Sequence, residues 1–389
     1  MWFREINIKD VPLVGGKNAS LGEMYNNLIS KGINIPDGFA TTSKAYFNFL
    51  DTAGLTSKID NLLKNINVRD IKSLQEKGKA VRTLILNSQL PKELERDIAL
   101  SYKKLSREYG AENTDVAVRS SATAEDLPNA SFAGQQETFL NISGENNVLE
   151  AVKKCFASLF TDRAIVYRQE MGFSHTKVGL SAGIQKMVRS DLGAAGVMFS
   201  CDTESKFGDI ILINASYGLG ENVVLGRVEP DQYYVFETTL KKGFRPIVEK
   251  KIGSKLIKMI YDKNLKKPTR NIPTPIKDRN KFVLSDEEIL SLAKWSMIVE
   301  SHYKKSMDME WAKDGKDGKL YIVQARPETV QSRKNLSVLE DYVLDKLKVR
   351  KVLATGLSVG SKIGSGRAKR ILNVKDIKQF KKGDVLITT

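Results

Sequence analysis

The chain has 389 residues, 41% of them hydrophobic and 8% aromatic, with a formal charge of +16. That length supports two or three domains, and the composition is globular rather than disordered. Its apolar runs are short and broken by charge, and the opening Met1-Trp-Phe-Arg-Glu lacks a basic region followed by an apolar one, which argues against a membrane span or a secretory leader.

Cys155 and Cys201 fit no metal spacing and are too few for a disulfide framework, so a reducing, cytoplasmic compartment is expected. A basic surface is the electrostatic footprint of phosphate binding. Here the excess is mostly scattered lysine, densest from Lys241 to Lys281, with Phe244 and Tyr261 the only aromatics between them. The run reads as a solvated lysine-rich face rather than a nucleic-acid site.

Gly15-Gly-Lys17 is followed at once by a helical pattern with Leu21, Met24, Leu28 and Ile29 on one face and Gly32 as a stop. Lys17 thus stands at a helix start, where backbone N–H groups favour an anion, although on these residues alone a plain loop-to-helix junction is the better reading. Pro36-Asp-Gly38 predicts a turn, Ser43 a cap for a helix to Leu50, and residues 56–110 a mainly helical stretch ending at Gly110.

From Val116 an apolar run leads to Arg119, Ser120 and Ser121 and into a loop of small residues that contains Gly134 and returns at Thr138 and Phe139. Small residues let backbone approach a ligand, and a guanidinium at a strand end suits phosphate. The same residues would also serve an ordinary surface turn in which Arg119 pairs with Glu125 or Asp126.

Helical patterns at 148–160 and 162–171 precede strand-like runs at 178–188, 194–200 and 209–217, the last closing in a Gly218-Leu-Gly-Glu221 turn. His175 and His302 are far apart and have no cysteine companion, which argues against a histidine metal site. Ser285-Asp-Glu-Glu288 predicts a capping box for a helix to about Tyr303.

Met307–Trp311 and Leu320–Arg326 then alternate around Asp-Gly turns, as a hairpin does. Centred on Asp317, the hairpin sets Glu310 opposite Gln324 and Asp308 opposite Arg326, all on one face. A carboxylate beside an amide oxygen suits Mg²⁺, and the nearby arginine suits the phosphates such an ion carries; an exposed polar cluster is the alternative. Residues 331–352 read as a charged linker. A glycine-rich unit from Gly356 ends on an apolar strand, so the sequence is expected to stop inside a second domain, at 353–389.

Taken together, Gly15–Met24, Val118–Asp126, Gly218–Val224, Met307–Trp311 and Gln324–Val330 resemble, in order, the nucleotide-binding half of the pyruvate, water dikinases, members of the phosphoenolpyruvate-utilising enzymes. The resemblance implies an α+β, ATP-grasp-type domain of two subdomains, roughly 1–190 and 191–330, with ATP between them. It implies that Lys17, Arg119 and Arg326 hold the phosphates and act in catalysis, and that Glu310 and Gln324 bind Mg²⁺. Gly134 and Thr138 would lie in the loop over the phosphates, Phe139 would flank the nucleotide and Gln185 would lie near the nucleoside.

In that family ATP phosphorylates a histidine on a β-rich swivelling domain, which carries the group to pyruvate and yields phosphoenolpyruvate, AMP and phosphate. Residues 356–389 resemble the opening strands of that domain, and the complete enzyme would be a homodimer. The histidine and the pyruvate site are not in this sequence. A rifampicin-type phosphotransferase and the ATP domain of a pyruvate, phosphate dikinase are the neighbouring alternatives. A basic nucleic-acid-binding module is the alternative of another class, marked by binding that falls steeply with salt and ignores ATP.

Overall fold

The computed structural model describes residues 1–123, 126–127, 130–131, 137–201, 209–262, 267–328 and 363–388. Gly134, the 331–352 segment and most of the glycine-rich unit lie outside these. Two antiparallel sheets with flanking helices form a mixed α and β architecture.

The first sheet orders its four strands Gly38–Ala40, Leu180–Lys186, Val116–Ala122 and Thr138–Ile142. Alternation sends Val116, Val118, Leu180, Ala182 and Ile184 to one face, where they share a core with Tyr46, Val81, Ile98, Tyr102 and Phe156. These come from helices Ser43–Thr52, Ile71–Asn87, Lys92–Glu108 and Glu145–Ser158. Thr42, not Ser43, caps the first of these helices through a 3.1 Å bond from the Ala45 amide. The Ser43 hydroxyl instead donates to Pro12 O at 2.8 Å.

The second sheet runs Ile247–Lys251, Asp231–Phe236, Ile210–Tyr217, Ala194–Phe199, Met307–Lys313 and Leu320–Pro327. Its inner face (Ile211, Ile213, Tyr233, Met309, Trp311 and Ile322 among others) packs on helix Asp286–Tyr303, which opens with the expected Ser285/Glu288 capping box.

The N-terminal residues join this second core through Phe3, Ile6, Val14, Met24 and Leu28. Helix Val11–Leu28 thereby lies between the sheets. Its Asn18 amide donates to Ser181 Oγ of the first sheet at 3.0 Å, and its Ser20 hydroxyl donates to Ala325 O of the second at 2.8 Å. Gly15 interrupts the helix at φ 73°, ψ 166°, a conformation essentially reserved for glycine. A Cβ there would fall 2.4 Å from Ser121 O, so the glycine also permits the close approach of helix to strand.

The lysine-rich stretch folds as strands Ile247–Lys251, Ile257–Tyr261 and Thr269–Pro273. It departs from a wholly solvated face at Lys255, which is fully buried and ion-paired with the equally buried Asp231. Lys250 and Lys251 are tied to Asp286 at 3.0 Å and Glu249 at 3.3 Å. Residues 363–388 contribute a parallel pair, Arg367–Arg370 with Asp384–Ile387. No helix among the described residues is long and apolar enough to cross a membrane, and neither cysteine is in a disulfide.

Candidate functional site

Arg119 points from the middle of strand Val116–Ala122, on the face opposite the helix-backed core. It opposes Thr138 on one neighbouring strand and Gly183 on the other. Directly across, the hairpin pairs Glu310 with Gln324 and Asp308 with Arg326, as expected from the sequence. Nearer the turn the register is Trp311 to Ile322, so Val323 is an extra residue that forms a bulge. Bulges re-aim side chains, and this one sets Gln324 beside Glu310 while Ile322 and Ala325 stay in the core.

The two sheets meet through these side chains. Arg119 Nη1 lies 3.6 Å from Glu310 Oε2, and donates to Gln324 Oε1 at 3.3 Å and to Val323 O at 3.4 Å. Its Nε is buried and has no hydrogen-bond partner among the described residues. Such an orphaned guanidinium donor is costly unless something else accepts from it, and a phosphate oxygen is a suitable acceptor.

Lys17, in the first turn after the Gly15 break, donates from Nζ to Ser120 O at 3.5 Å, next to Arg119. Arg326 donates from Nε and Nη2 to Asp308 Oδ2 at 2.9 and 2.8 Å. Burial pushes the Asp308 carboxyl upward, and the Arg326 charge opposes that shift only in part. Gln185 pairs with Ala117 and so shares the Arg119 face; it is buried, its Nε2 donating to Pro36 O at 3.4 Å.

Arg119, Glu310 and Gln324 are therefore in direct contact, with Thr138 and Lys17 alongside. Phe139 is not among them. It opposes Val118 and packs in the helix-backed core with Lys154 5.9 Å over its ring, on the far face of the sheet. Period-two alternation from Thr138 dictates this: neighbouring residues of one strand cannot share a face of the sheet.

A feature the motifs do not reveal is an apolar cluster of Ala117, Met187, Leu219 and Met259, flanked by Leu140 and Tyr261, on the Arg119 side of the first sheet. Alternation with Arg119 and Gln185 is the only trace of it in the sequence, because Leu219 and Met259 arrive from distant segments. The Gly218 turn delivers them: Gly218 has φ 86° and the Leu219 amide donates to Met259 O at 2.9 Å.

Glu310 and Gln324 present two hard oxygen ligands now held by one guanidinium, a donor set that fits Mg²⁺ completed by water and phosphate.

The pattern of the family described as "Pyruvate phosphate dikinase, AMP/ATP-binding domain" matches residues 11–344. The chain is 54% identical over 398 residues to a phosphoenolpyruvate synthase of Synechocystis sp., covering 100% of this chain and 48% of that protein. It is 51% identical over 397 residues to the Aquifex aeolicus phosphoenolpyruvate synthase (100% and 46%) and 47% over 390 residues to that of Escherichia coli (100% and 48%). The chain thus spans about half the length of these relatives. A cationic site built across two sheets and a match over most of the sequence lead to one assignment: the chain belongs to the pyruvate phosphate dikinase AMP/ATP-binding domain family.

Proposed function

We propose that the chain binds Mg-ATP in an ATP-grasp-type cleft between two subdomains, roughly 1–190 and 191–330, in the cytoplasm. The contact of Arg119 with the Glu310–Gln324 pair carries this reading, because it joins a phosphate-type cation to a Mg²⁺-type ligand pair. Arg119, Lys17 and Arg326 would hold the phosphates, with Thr138 and Gly134 in the loop above them. Gln185 and the apolar cluster around Ala117 and Met187 would face the nucleoside, an apolar base needing flat greasy walls with few polar anchors. Phe139 is assigned instead to securing its strand from behind.

When bound at Glu310 and Gln324, Mg²⁺ would neutralise phosphate charge. The protein's own part is alignment: Arg119 exchanges the Glu310 carboxylate for a phosphoryl oxygen, and its Nε gains the acceptor it lacks. Phosphoryl transfer depends chiefly on such positioning and charge stabilisation. In the whole protein the phosphoryl group would pass from ATP to a histidine on a swivelling domain, of which 353–389 would be the start, and then to pyruvate. Overall, ATP, pyruvate and water would give AMP, phosphoenolpyruvate and phosphate.

The test is calorimetric titration of ATP with and without Mg²⁺ against the chain and its Lys17→Ala, Arg119→Ala and Arg326→Ala variants. Each variant removes a cation from a triphosphate site and is expected to weaken binding by about 2–4 kcal/mol. Unchanged affinity in all of them would overturn the assignment.

A further inference from the structure

A second cationic site lies on the helix-backed side of the first sheet. Arg168, on helix Asp162–Glu170, is completely buried. Its Nη1 donates to Leu159 O at 2.6 Å, its Nε donates to His175 Nδ1 at 3.2 Å, and its guanidinium lies 5.2 Å from the Phe160 ring centre. Nη2 has no partner. Among the described residues no carboxylate forms an ion pair with it, and burial draws its pKa down to about 10, as for a cation without a counter-charge.

His175 completes the arrangement. Since Nδ1 accepts from Arg168, the neutral ring carries its proton on Nε2, and that buried nitrogen also lacks a partner among the described residues. Burial first, and the Arg168 charge second, hold the imidazole neutral by lowering its pKa to about 4. Both residues line a cavity of about 450 Å³ whose wall includes Lys64 and Asp60. The Asp60 carboxylate accepts from the Thr176 hydroxyl at 3.0 Å.

We propose that this cavity binds a small oxyanion, a carboxylate or phosphate group, held by Arg168 Nη2 and His175 Nε2 with Lys64 at its mouth. Neither nitrogen has surface open to the cavity as it stands, so binding turns the Arg168 fork and the His175 ring towards the anion; the gain is a counter-charge for Arg168, which water would not supply. The planar guanidinium fork with a second N–H beside it matches two oxygens of one group. The site is separate from the nucleotide cleft, since Arg168 packs in the helix layer and Arg119 faces the other side of the sheet.

The chain has two histidines, His175 and His302, so ring-¹⁵N-labelled histidine gives a simple NMR spectrum. Inorganic phosphate and, separately, malonate are titrated at constant ionic strength, with His302→Gln fixing the assignment. Saturable movement of the His175 ring signals is expected with at least one anion, and which anion binds more tightly tells phosphate from carboxylate. The shifts should persist in Arg119→Ala, weaken about threefold in the exposed variant Lys64→Ala, and vanish in Arg168→Met. If Arg168→Met does not fold, the wild-type and Lys64→Ala titrations decide. Absence of saturable shifts with either anion, or shifts abolished by Arg119→Ala, would overturn the proposal.

Discussion

Replacing Glu310 by glutamine keeps the shape and removes one charge, which separates the metal's contribution from the phosphate's. In the free protein Arg119 Nη1 sits 3.6 Å from Glu310 Oε2, with the side chains 16% and 26% exposed. At an effective dielectric near 20, unit charges at that spacing attract by roughly 4–5 kcal/mol before desolvation is subtracted. The net value of such partly buried pairs is on the order of 1 kcal/mol. Under the proposed reading a nucleotide competes with this carboxylate for Arg119.

Without Mg²⁺, Glu310→Gln is therefore expected to leave ATP affinity unchanged or to raise it up to about fivefold. With Mg²⁺ the variant lacks an anionic ligand and should bind roughly 10- to 100-fold more weakly, about 1.4–2.8 kcal/mol. Calorimetric titrations in EDTA and in excess Mg²⁺ measure both. Equal weakening in the two buffers would refute the metal role of Glu310, and no change in either would remove it from the site.

Gly15→Ala should cost about 2–4 kcal/mol in urea unfolding and weaken ATP binding, because its Cβ meets Ser121 O at 2.4 Å in a glycine-only conformation and a shift there moves Lys17; wild-type values for both would contradict that packing. Asp231→Ala leaves the Lys255 ammonium buried and strands the Gly253 and Val283 amides, each now 2.8 Å from an Asp231 oxygen. The expected loss is about 3–5 kcal/mol, much of it recovered when Lys255→Met is added; a double-mutant cycle with no coupling would count against the buried pair. His175 has its folded pKa depressed from an ordinary 6.5 to about 4. As pH falls through that window the unfolded chain takes up a proton the fold refuses, so wild type should lose stability relative to His175→Gln between pH 6.5 and 4. Parallel denaturation midpoints across that range would show that the ring is not held neutral.

Local chemistry made much of this fold readable. The Ser285/Glu288 box, the period-two pattern of Met307–Trp311 and the Asp-Gly turns act within a few residues, and helix Asp286–Tyr303 and the hairpin lie where those signals put them. Counting outward from Asp317 reproduces Glu310–Gln324 because the Val323 bulge supplies the half-step that the actual turn lacks. Nothing in the composition of Val323 announces that bulge. Phe139 opposes Val118 on the helix-backed face, as alternation from Thr138 requires. Lys255 is a different failure: its burial depends on Asp231, which is brought to it by sheet packing rather than by any neighbour in sequence. The placement of helix Val11–Leu28 between two sheets is likewise non-local, resting on Asn18 with Ser181 and Ser20 with Ala325.

Under the proposed reading, that helix is why the nucleotide cleft would be preformed yet able to respond to a ligand. Its contacts with both sheets keep Lys17 close to Arg119 without help from a nucleotide, so little ordering entropy is left to be lost on binding. The two sheets are joined at Arg119 by polar contacts of 3.3–3.6 Å, which are long for charge-assisted hydrogen bonds. Arg326 is held differently, by two short bonds to a largely buried carboxylate whose own proton affinity is raised. Under the proposed reading, Arg119 is thus the cation that changes partner when ATP arrives. Arg326 keeps Asp308 and reaches the phosphates as one fixed end of the site.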